Sequence, residues 1–148
     1  MARLHPYIHF NGNAEEAFAF YKSIFGGEFA KIVRYKDLSD AGHPVSANDA
    51  NRLMHISLPV GTTNMLMGSD VIEAMGQVTQ NDNRNTISIS ADSREEADKL
   101  FNGLSAGGKI EMPIADSPWG AYFGMLADKY GVQWMVNFDP RGRDRNKG

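Results

Sequence analysis

The chain has 148 residues, a net charge of −3 and no cysteine. The length suits one compact domain with a sizeable core. The lack of cysteine excludes disulfides, thiolate zinc sites and a cysteine nucleophile. No apolar run is long enough for a signal peptide or for a membrane span, which needs roughly 20 residues, so we expect a cytoplasmic protein. The main basic cluster is confined to the last eight residues, and neither nucleic acid nor membrane is an expected partner.

The first half of the chain predicts a strand, a helix and three further strands. A helix is expected at 14–25, because Asn13 and Glu16 have the spacing of a capping box and Gly26-Gly27 suits a helix end. Apolar residues recur at helical spacing within it: Ala17, Phe20, Tyr21 and Ile24. The predicted strands are 6–11, 28–36, 52–60 and 64–68.

The second half repeats this pattern about 80 residues later. Ser93 and Glu96 predict a second capping box and a helix at 94–105, with an apolar stripe of Ala97, Leu100, Phe101 and Leu104. The strands expected around it are 85–91, 109–114, 121–127 and 132–138. The prediction is an α+β fold of tandem βαβββ modules at 5–69 and 85–139, with a linker at 70–84 and a flexible tail at 140–148. A half of roughly 60 residues buries too little alone, so the two sheets should complete each other.

Several motifs resemble one known family. They are Pro6-Tyr7-Ile8-His9-Phe10-Asn11-Gly12-Asn13, Phe25-Gly26-Gly27-Glu28, Met54-His55, Leu66-Met67-Gly68-Ser69-Asp70 and Asp128-Lys129-Tyr130-Gly131-Val132-Gln133-Trp134. This pattern resembles the PhnB-like branch of the vicinal-oxygen-chelate (glyoxalase/bleomycin resistance protein/dioxygenase) superfamily. The resemblance implies a half-open eight-stranded barrel around a pocket. Proteins of this branch are often labelled 3-demethylubiquinone-9 3-methyltransferase, but the turn at 10–13 lacks a glycine-rich nucleotide loop.

The resemblance also bears on a metal site. Metal-dependent relatives hold a divalent ion with His and Glu from the first, fourth, fifth and eighth strands. The motifs place Pro6, Met67, Thr86 and Met135 at those positions. None of these side chains is a good ligand for a hard or borderline cation. We therefore expect neither the usual metal nor another cofactor.

His55 is the best chemical candidate among the four histidines. Alternation puts it with Ser57 on one face of its strand, whereas Met54, Ile56 and Leu58 form the apolar face. There it would donate a hydrogen bond or move a proton, and a structural histidine is an equal alternative. The family register would turn His9 toward the helix as a hydrogen-bonded residue at the core edge. His5 is expected at a surface terminus, and His43 in a solvated loop.

The predicted ligand cleft draws on both modules. Its walls would be His55 and Ser57, Thr86 and Ser88, and the segment Trp119–Phe123, with 37–51 as a mobile cover. Met67 and Met135 add adaptable apolar surface, although either has an ordinary core role as its alternative. Trp119 and Tyr122 suit stacking on a planar ligand, or equally a plug of the barrel or a subunit contact.

Two functions follow as hypotheses. The leading one is a protein that binds a small organic molecule in the cleft without a metal. The alternative is a metal-dependent lyase, isomerase or dioxygenase with a rearranged site that uses His5, His9 or His55. A homodimer is expected, because half-open barrels expose sheet edges and apolar surface. Whether the modules pair within one chain or swap between two chains stays open.

Overall fold

The computed structural model describes residues 4–37, 46–72 and 85–140. The chain divides into two compact units, Met1–Thr79 and Gln80–Gly148. Each unit contains one strand, one helix and three further strands in that order. Within the described ranges, no helix is long and apolar enough to cross a membrane.

The first unit contains a mixed four-stranded sheet with the strand order β1-β4-β3-β2. β1 is parallel to β4, while β3 is antiparallel to both β4 and β2. The elements are β1 (Tyr7–Phe10), α1 (Ala14–Phe25), β2 (Lys31–Arg34), β3 (Leu53–Val60) and β4 (Asn64–Asp70). This arrangement places the first and last strands of the module side by side.

Helix α1 packs on one face of this sheet through Phe18. The ring of Phe18 lies so close to Gly68 that a Cβ there would be 2.7 Å from it, and it meets Phe10 edge-on at 6.1 Å. The buried positions of the helix are Ala14, Ala17, Phe18 and Tyr21. The predicted apolar stripe of α1 therefore has the correct helical period, but the buried face of the helix is rotated from it: Phe18 is buried, whereas Phe20 and Ile24 are half-buried.

The start of α1 corrects the first predicted capping box. The side chain of Asn13 makes no capping hydrogen bond. Instead, Asp70 of β4 accepts hydrogen bonds through Oδ1 from the backbone N–H groups of Gly12 (3.0 Å) and Ala14 (2.8 Å). A carboxylate far along the sequence thus replaces the local cap and suits the positive end of the helix dipole.

The second unit has the same topology, with the strand order β5-β8-β7-β6 and β5 parallel to β8. Its elements are β5 (Ile87–Ser90), α2 (Arg94–Ser105), β6 (Lys109–Asp116), β7 (Tyr122–Ala127) and β8 (Gln133–Phe138). Here the predicted cap is present, because Ser93 Oγ accepts from the N–H of Glu96 at 3.0 Å. The Glu96 carboxylate accepts from the N–H of Asp92, one residue before the cap. The predicted stripe of α2 is buried.

A buried aspartate also organises the β7–β8 turn. Asp128 Oδ1 accepts from the N–H groups of Tyr130 (2.8 Å) and Val132 (3.0 Å). Its Oδ2 accepts from the indole N–H of Trp134 at 2.8 Å, and Trp134 is almost completely buried. The residues that carried the resemblance in this segment therefore have a structural role.

The predicted α+β fold of two βαβββ modules is confirmed, and both helices begin and end at the predicted residues. A half-open eight-stranded barrel stays a prediction. The linker at 70–84, the tail at 140–148, His43 and most of the cover at 37–51 lie largely outside the described residues. Their bounds and roles stay predictions as well.

Candidate functional site

One face of the first sheet is turned away from α1, and we call it the open face of the first sheet. Ile8, Phe10, Ile56 and Gly68 belong to the helix side, since Gly68 contacts Phe18 and pairs with both Ile8 and Ile56. Their neighbours along each strand alternate to the other side. The open face comprises Tyr7, His9, Lys31, Val33, His55, Ser57, Pro59, Met65, Met67 and Ser69.

Tyr7 joins the two histidines of this face. Its hydroxyl lies 3.4 Å from His55 Nδ1 and 3.5 Å from the carbonyl oxygen of Met54. Its ring centroid is 5.3 Å from that of His9 and 5.8 Å from that of His55. The side chain remains 42% exposed. Hydrogen bonds of this length are weak and are readily exchanged for a better partner, so the hydroxyl is available to an added molecule.

Sequence reasoning did not select Tyr7. A signal was present, because Tyr7 and His9 are two residues apart and share a strand face. The partner, His55, is 48 residues away, and only the β1–β4–β3 pairing brings the two together.

His55 lies where the sequence placed it, on the face opposite to Ile56. Burial lowers the pKa of His55, and the positive charge of Lys31 lowers it further. The imidazole is therefore neutral at neutral pH. In the tautomer in which Nδ1 accepts the Tyr7 proton, Nε2 carries the N–H and becomes a donor. His55 then offers one hydrogen bond to a ligand without carrying a charge itself.

The prediction that His9 faces the helix is wrong. His9 pairs with Ser69, and its Nδ1 lies 3.3 Å from Ser69 Oγ. The reason is the phase of β1: Phe10 packs against Phe18, so its neighbour must point to the other side. His9 is exposed on the open face, hydrogen-bonded as expected.

The alternation of β1 also decides on which side of the sheet Pro6 lies, and Pro6 is the first of the four positions considered for a metal. Pro6 precedes Tyr7, and continued alternation assigns it to the side of Ile8; its carbonyl accepts from the N–H of Met67 at 3.1 Å. Alternation would put His5 on the open side instead.

The residues present do not fit the metal that the resemblance implies. In the part of the chain that the structure describes, no three His, Asp or Glu side chains form a group that could hold an ion. Met67 pairs across the strands with Tyr7 and Ser57, and Met135 pairs across the strands with Ser88 and Met125. Thioethers do not suit hard divalent cations. We derive no chemistry through a metal at these positions.

In the second sheet, the face turned away from α2 carries most of the other predicted residues. Ser88 pairs with Met135, and Thr86 directly precedes β5. Trp119 is 59% exposed, and its ring meets that of Phe123 at 5.8 Å. Phe123 pairs with Asn137, which also pairs with Ser90. The paired positions that β5, β7 and β8 contribute to this face are uncharged and partly aromatic, and β6 adds Lys109, which pairs with Ala127.

The structure separates Tyr122 from this group, because Tyr122 does not share the face that carries Trp119 and Phe123. Its hydroxyl donates to Asp98 of α2 at 2.5 Å, and the guanidinium of Arg94 lies 4.0 Å from its ring centroid. Tyr122 alternates with Phe123 and shares the helix side with Gly124, which contacts Phe101. Tyr122 therefore links β7 to α2 through its hydrogen bond to Asp98.

Asp116, the last residue of β6, pairs with Arg94 at 2.8 Å. The hydrogen bond from Arg94 lowers the pKa of this carboxyl. An exposed carboxylate held in an ion pair is a poor proton acceptor, and the role of a base has no support here.

Comparisons with known proteins agree with this architecture. Protein YjdN of Escherichia coli is 28% identical over 137 residues, covering 90% of this chain and 93% of its own. The crystal structure of protein PA1353 from Pseudomonas aeruginosa has 37% identity and a TM-score of 0.80, with 94% and 98% of the two chains covered. The PhnB protein of Bacillus cereus, named provisionally as a 3-demethylubiquinone-9 3-methyltransferase, has 28% identity and a TM-score of 0.71, covering 93% and 99%.

A more distant structure shares the fold alone. The fosfomycin resistance protein FosX from Listeria monocytogenes, solved with Mn(II) and sulfate, is 14% identical with a TM-score of 0.64, covering 98% of each chain. The model of the Glyoxalase/Bleomycin resistance protein/Dioxygenase superfamily matches residues 3–136. With paired βαβββ modules and a match over nearly its whole length, the chain belongs to the glyoxalase/bleomycin resistance protein/dioxygenase superfamily.

Proposed function

We propose that the protein binds a small organic molecule on the open face of the first sheet, where Tyr7 and His55 contact it. The observation that carries the proposal is the pair itself: a half-exposed aromatic ring whose hydroxyl meets an imidazole at 3.4 Å. Small-molecule sites combine apolar and aromatic surface with a few placed polar groups. The open face has this composition.

The surroundings of the pair support the same function. Met65, Met67 and Pro59 supply adaptable apolar surface next to it. Ser57 and Ser69 are buried hydroxyls among these groups. Polar side chains on a sheet face add little to folding unless they bind a partner, because a purely apolar face would bury more surface at lower desolvation cost.

We also propose that Thr86, Ser88, Trp119 and Met135 of the second sheet contact a ligand of this kind. The positions that β5, β7 and β8 contribute to the face that carries them are uncharged and partly aromatic, which suits such a ligand. Trp119 is the sharpest test, because an exposed indole that gains a stacking partner accounts for a large share of a binding energy.

The experiment is a thermal-shift screen of small organic molecules, followed by calorimetric titration of the hits. Tyr7→Phe removes only the hydroxyl, and His55→Ala and Trp119→Ala remove whole side chains. Each should weaken binding by about 1–3 kcal/mol, or roughly 5- to 150-fold. Tyr130→Phe is the matched control, since Tyr130 lies in the β7–β8 turn, and it should leave the affinity unchanged. Hits that bind Tyr7→Phe and His55→Ala as tightly as the parent would place the site elsewhere and refute the proposal.

A metal-dependent lyase, isomerase or dioxygenase with a rearranged site is the alternative. The observation that favours it is that His9 and His55 share the open face and both contact the Tyr7 ring. Elemental analysis of protein purified without an affinity tag decides between the two. About one zinc, nickel or manganese per chain, lost in His55→Ala but kept in His5→Ala, would establish a metal centre of this kind.

We also propose that the protein forms a homodimer. β6 lies at the edge of its sheet, and Ile110 and Met112 on it are 50% and 46% exposed. Exposed strand edges with apolar side chains are commonly covered by a partner. Light scattering at micromolar concentration should give twice the monomer mass, and a monomer mass would contradict the proposal.

A further inference from the structure

The open face of the first sheet carries a positive charge, and its described residues supply no negative charge. Asp70 is the single carboxylate within β1 to β4, and it is turned to the helix side, where it caps α1. The open face instead carries Lys31, an exposed side chain at the start of β2. The structure gives Lys31 no ion pair with any described carboxylate. Among the described residues, the face is therefore positive and has no counter-charge of its own.

Nearby acidic groups of the first unit are engaged elsewhere. Glu15 pairs with Arg34 at 2.8 Å, and Glu28 pairs with Lys22 at 3.1 Å. Asp37 accepts from the N–H of Arg34. None of these carboxylates can move to Lys31 without breaking a contact that it already makes.

Lys31 lies in line with the proposed ligand contacts. It pairs across the strands with Ser57, which pairs with Met67, which in turn pairs with Tyr7. His55 is two residues from Ser57 on the same strand face. Lys31 thus begins a row of paired residues that ends at Tyr7, and the Tyr7 hydroxyl reaches back to His55, which lies beside the row.

We propose that the molecule bound on this face carries an anionic oxygen group, a carboxylate or phenolate on an aromatic or apolar body, which Lys31 and His55 contact. The inference rests on the proposed function and names the ligand class. Lys31 would supply the charge, His55 a hydrogen bond from Nε2, and the Tyr7 ring the apolar wall.

The electrostatics of His55 agree with this arrangement. The positive charge of Lys31 acts on His55, and its pKa is lowered by burial and by that charge. The groups facing His55 are Lys31 on β2, Val33 on β2, and Tyr7 and His9 on β1; β4 contributes Met67 and Ser69. No acid is among these described groups, so a bound anion would add a negative charge beside the imidazole that they do not supply. Its arrival should raise the pKa of His55.

The test uses aromatic acids with their uncharged counterparts, beginning with benzoate and benzamide and extending to each acid among the screened molecules with its amide. Binding is followed by NMR on the full chain, through the imidazole signals of His55. We expect acids to bind more tightly than their amides by roughly three- to tenfold, and this preference to fall when salt is raised from 20 to 500 mM.

Lys31→Met should abolish the preference for acids, and Lys31→Arg should keep it. Lys109→Met is the matched control, because Lys109 begins β6 as Lys31 begins β2; it should change nothing. His55 should titrate at higher pH with benzoate bound than with benzamide present.

The outcomes separate the two proposals. If molecules bind beside Tyr7 and His55 but acids and amides bind alike, and Lys31→Met changes neither, the anion proposal is overturned while the proposed function stands. If no molecule of either charge perturbs Tyr7 or His55, both fail. A preference for acids that disappears in Lys109→Met but persists in Lys31→Met would assign the anion to the second sheet and would also refute the inference.

Discussion

Asp70→Asn should destabilise the first unit strongly, although the change is nearly isosteric. The Asp70 carboxylate is 2% exposed and accepts three backbone hydrogen bonds: from Gly12 and Ala14 through Oδ1, and from Leu53 through Oδ2 at 2.9 Å. In asparagine one oxygen becomes an NH₂ group. If the remaining oxygen keeps the helix contacts, the new donor faces the N–H of Leu53.

The cost can be worked from these contacts. One buried N–H left without an acceptor costs about 1–3 kcal/mol, and loss of the negative charge at the start of α1 adds up to about 1 kcal/mol. The sum is about 1–4 kcal/mol. For a chain of this size, that corresponds to a fall of roughly 3–15 °C in Tm.

The measurements are urea and thermal unfolding together with hydrogen exchange at single amides. In Asp70→Asn, the amide of Leu53 should exchange faster than those of Gly12 and Ala14. Asn13→Ala is the control, because the Asn13 side chain makes no capping hydrogen bond; it should cost less than about 0.5 kcal/mol. An Asp70→Asn variant as stable as the parent, or an Asn13→Ala variant that loses more, would refute the assignment of the cap.

Three further predictions follow from other contacts. Ser93→Ala should cost about 1 kcal/mol in urea unfolding, since Ser93 Oγ caps α2; a loss no larger than that of Asn13→Ala would contradict it. Gly124→Ala should cost about 1–3 kcal/mol, because its Cβ would lie 2.7 Å from the Phe101 ring and 2.8 Å from Ile114 Cα; unchanged stability would contradict this close packing. His55 has a pKa below the unfolded value of 6.5, so its contribution to stability is present above about pH 6.5 and is lost as pH falls through the lower folded-state pKa. Unfolding of His55→Gln should therefore depend less on pH between about 7 and 5, and an unchanged pH dependence would count against the lowered pKa.

Much of the fold followed from the sequence because the relevant signals are local. Helix α2 begins at Arg94, directly after its N-cap Ser93, and the cap is made within four residues, so the start of the helix could be predicted from spacing alone. The 80-residue repeat then predicted two equivalent modules, and the observed strand orders of the two sheets are equivalent. Alternation also assigned His55 and Ser57 to one face, since successive strand residues point to opposite sides whatever the neighbouring strands are.

What the tertiary structure decided depends on residues that are distant in the chain. Asp70 caps a helix that begins 56 residues earlier. The local sequence around Asn13 does not indicate that a distant carboxylate makes the capping hydrogen bonds. His9 was assigned to the wrong face because the phase of a four-residue strand is fixed by which side chain packs on α1, here Phe10. Tyr122 lies on the helix side for the same reason, through Gly124 and Phe101. The Tyr7–His55 pair arises only when β1 and β3 both flank β4, because strand register, unlike helix capping, is set by packing between segments that the sequence alone does not align.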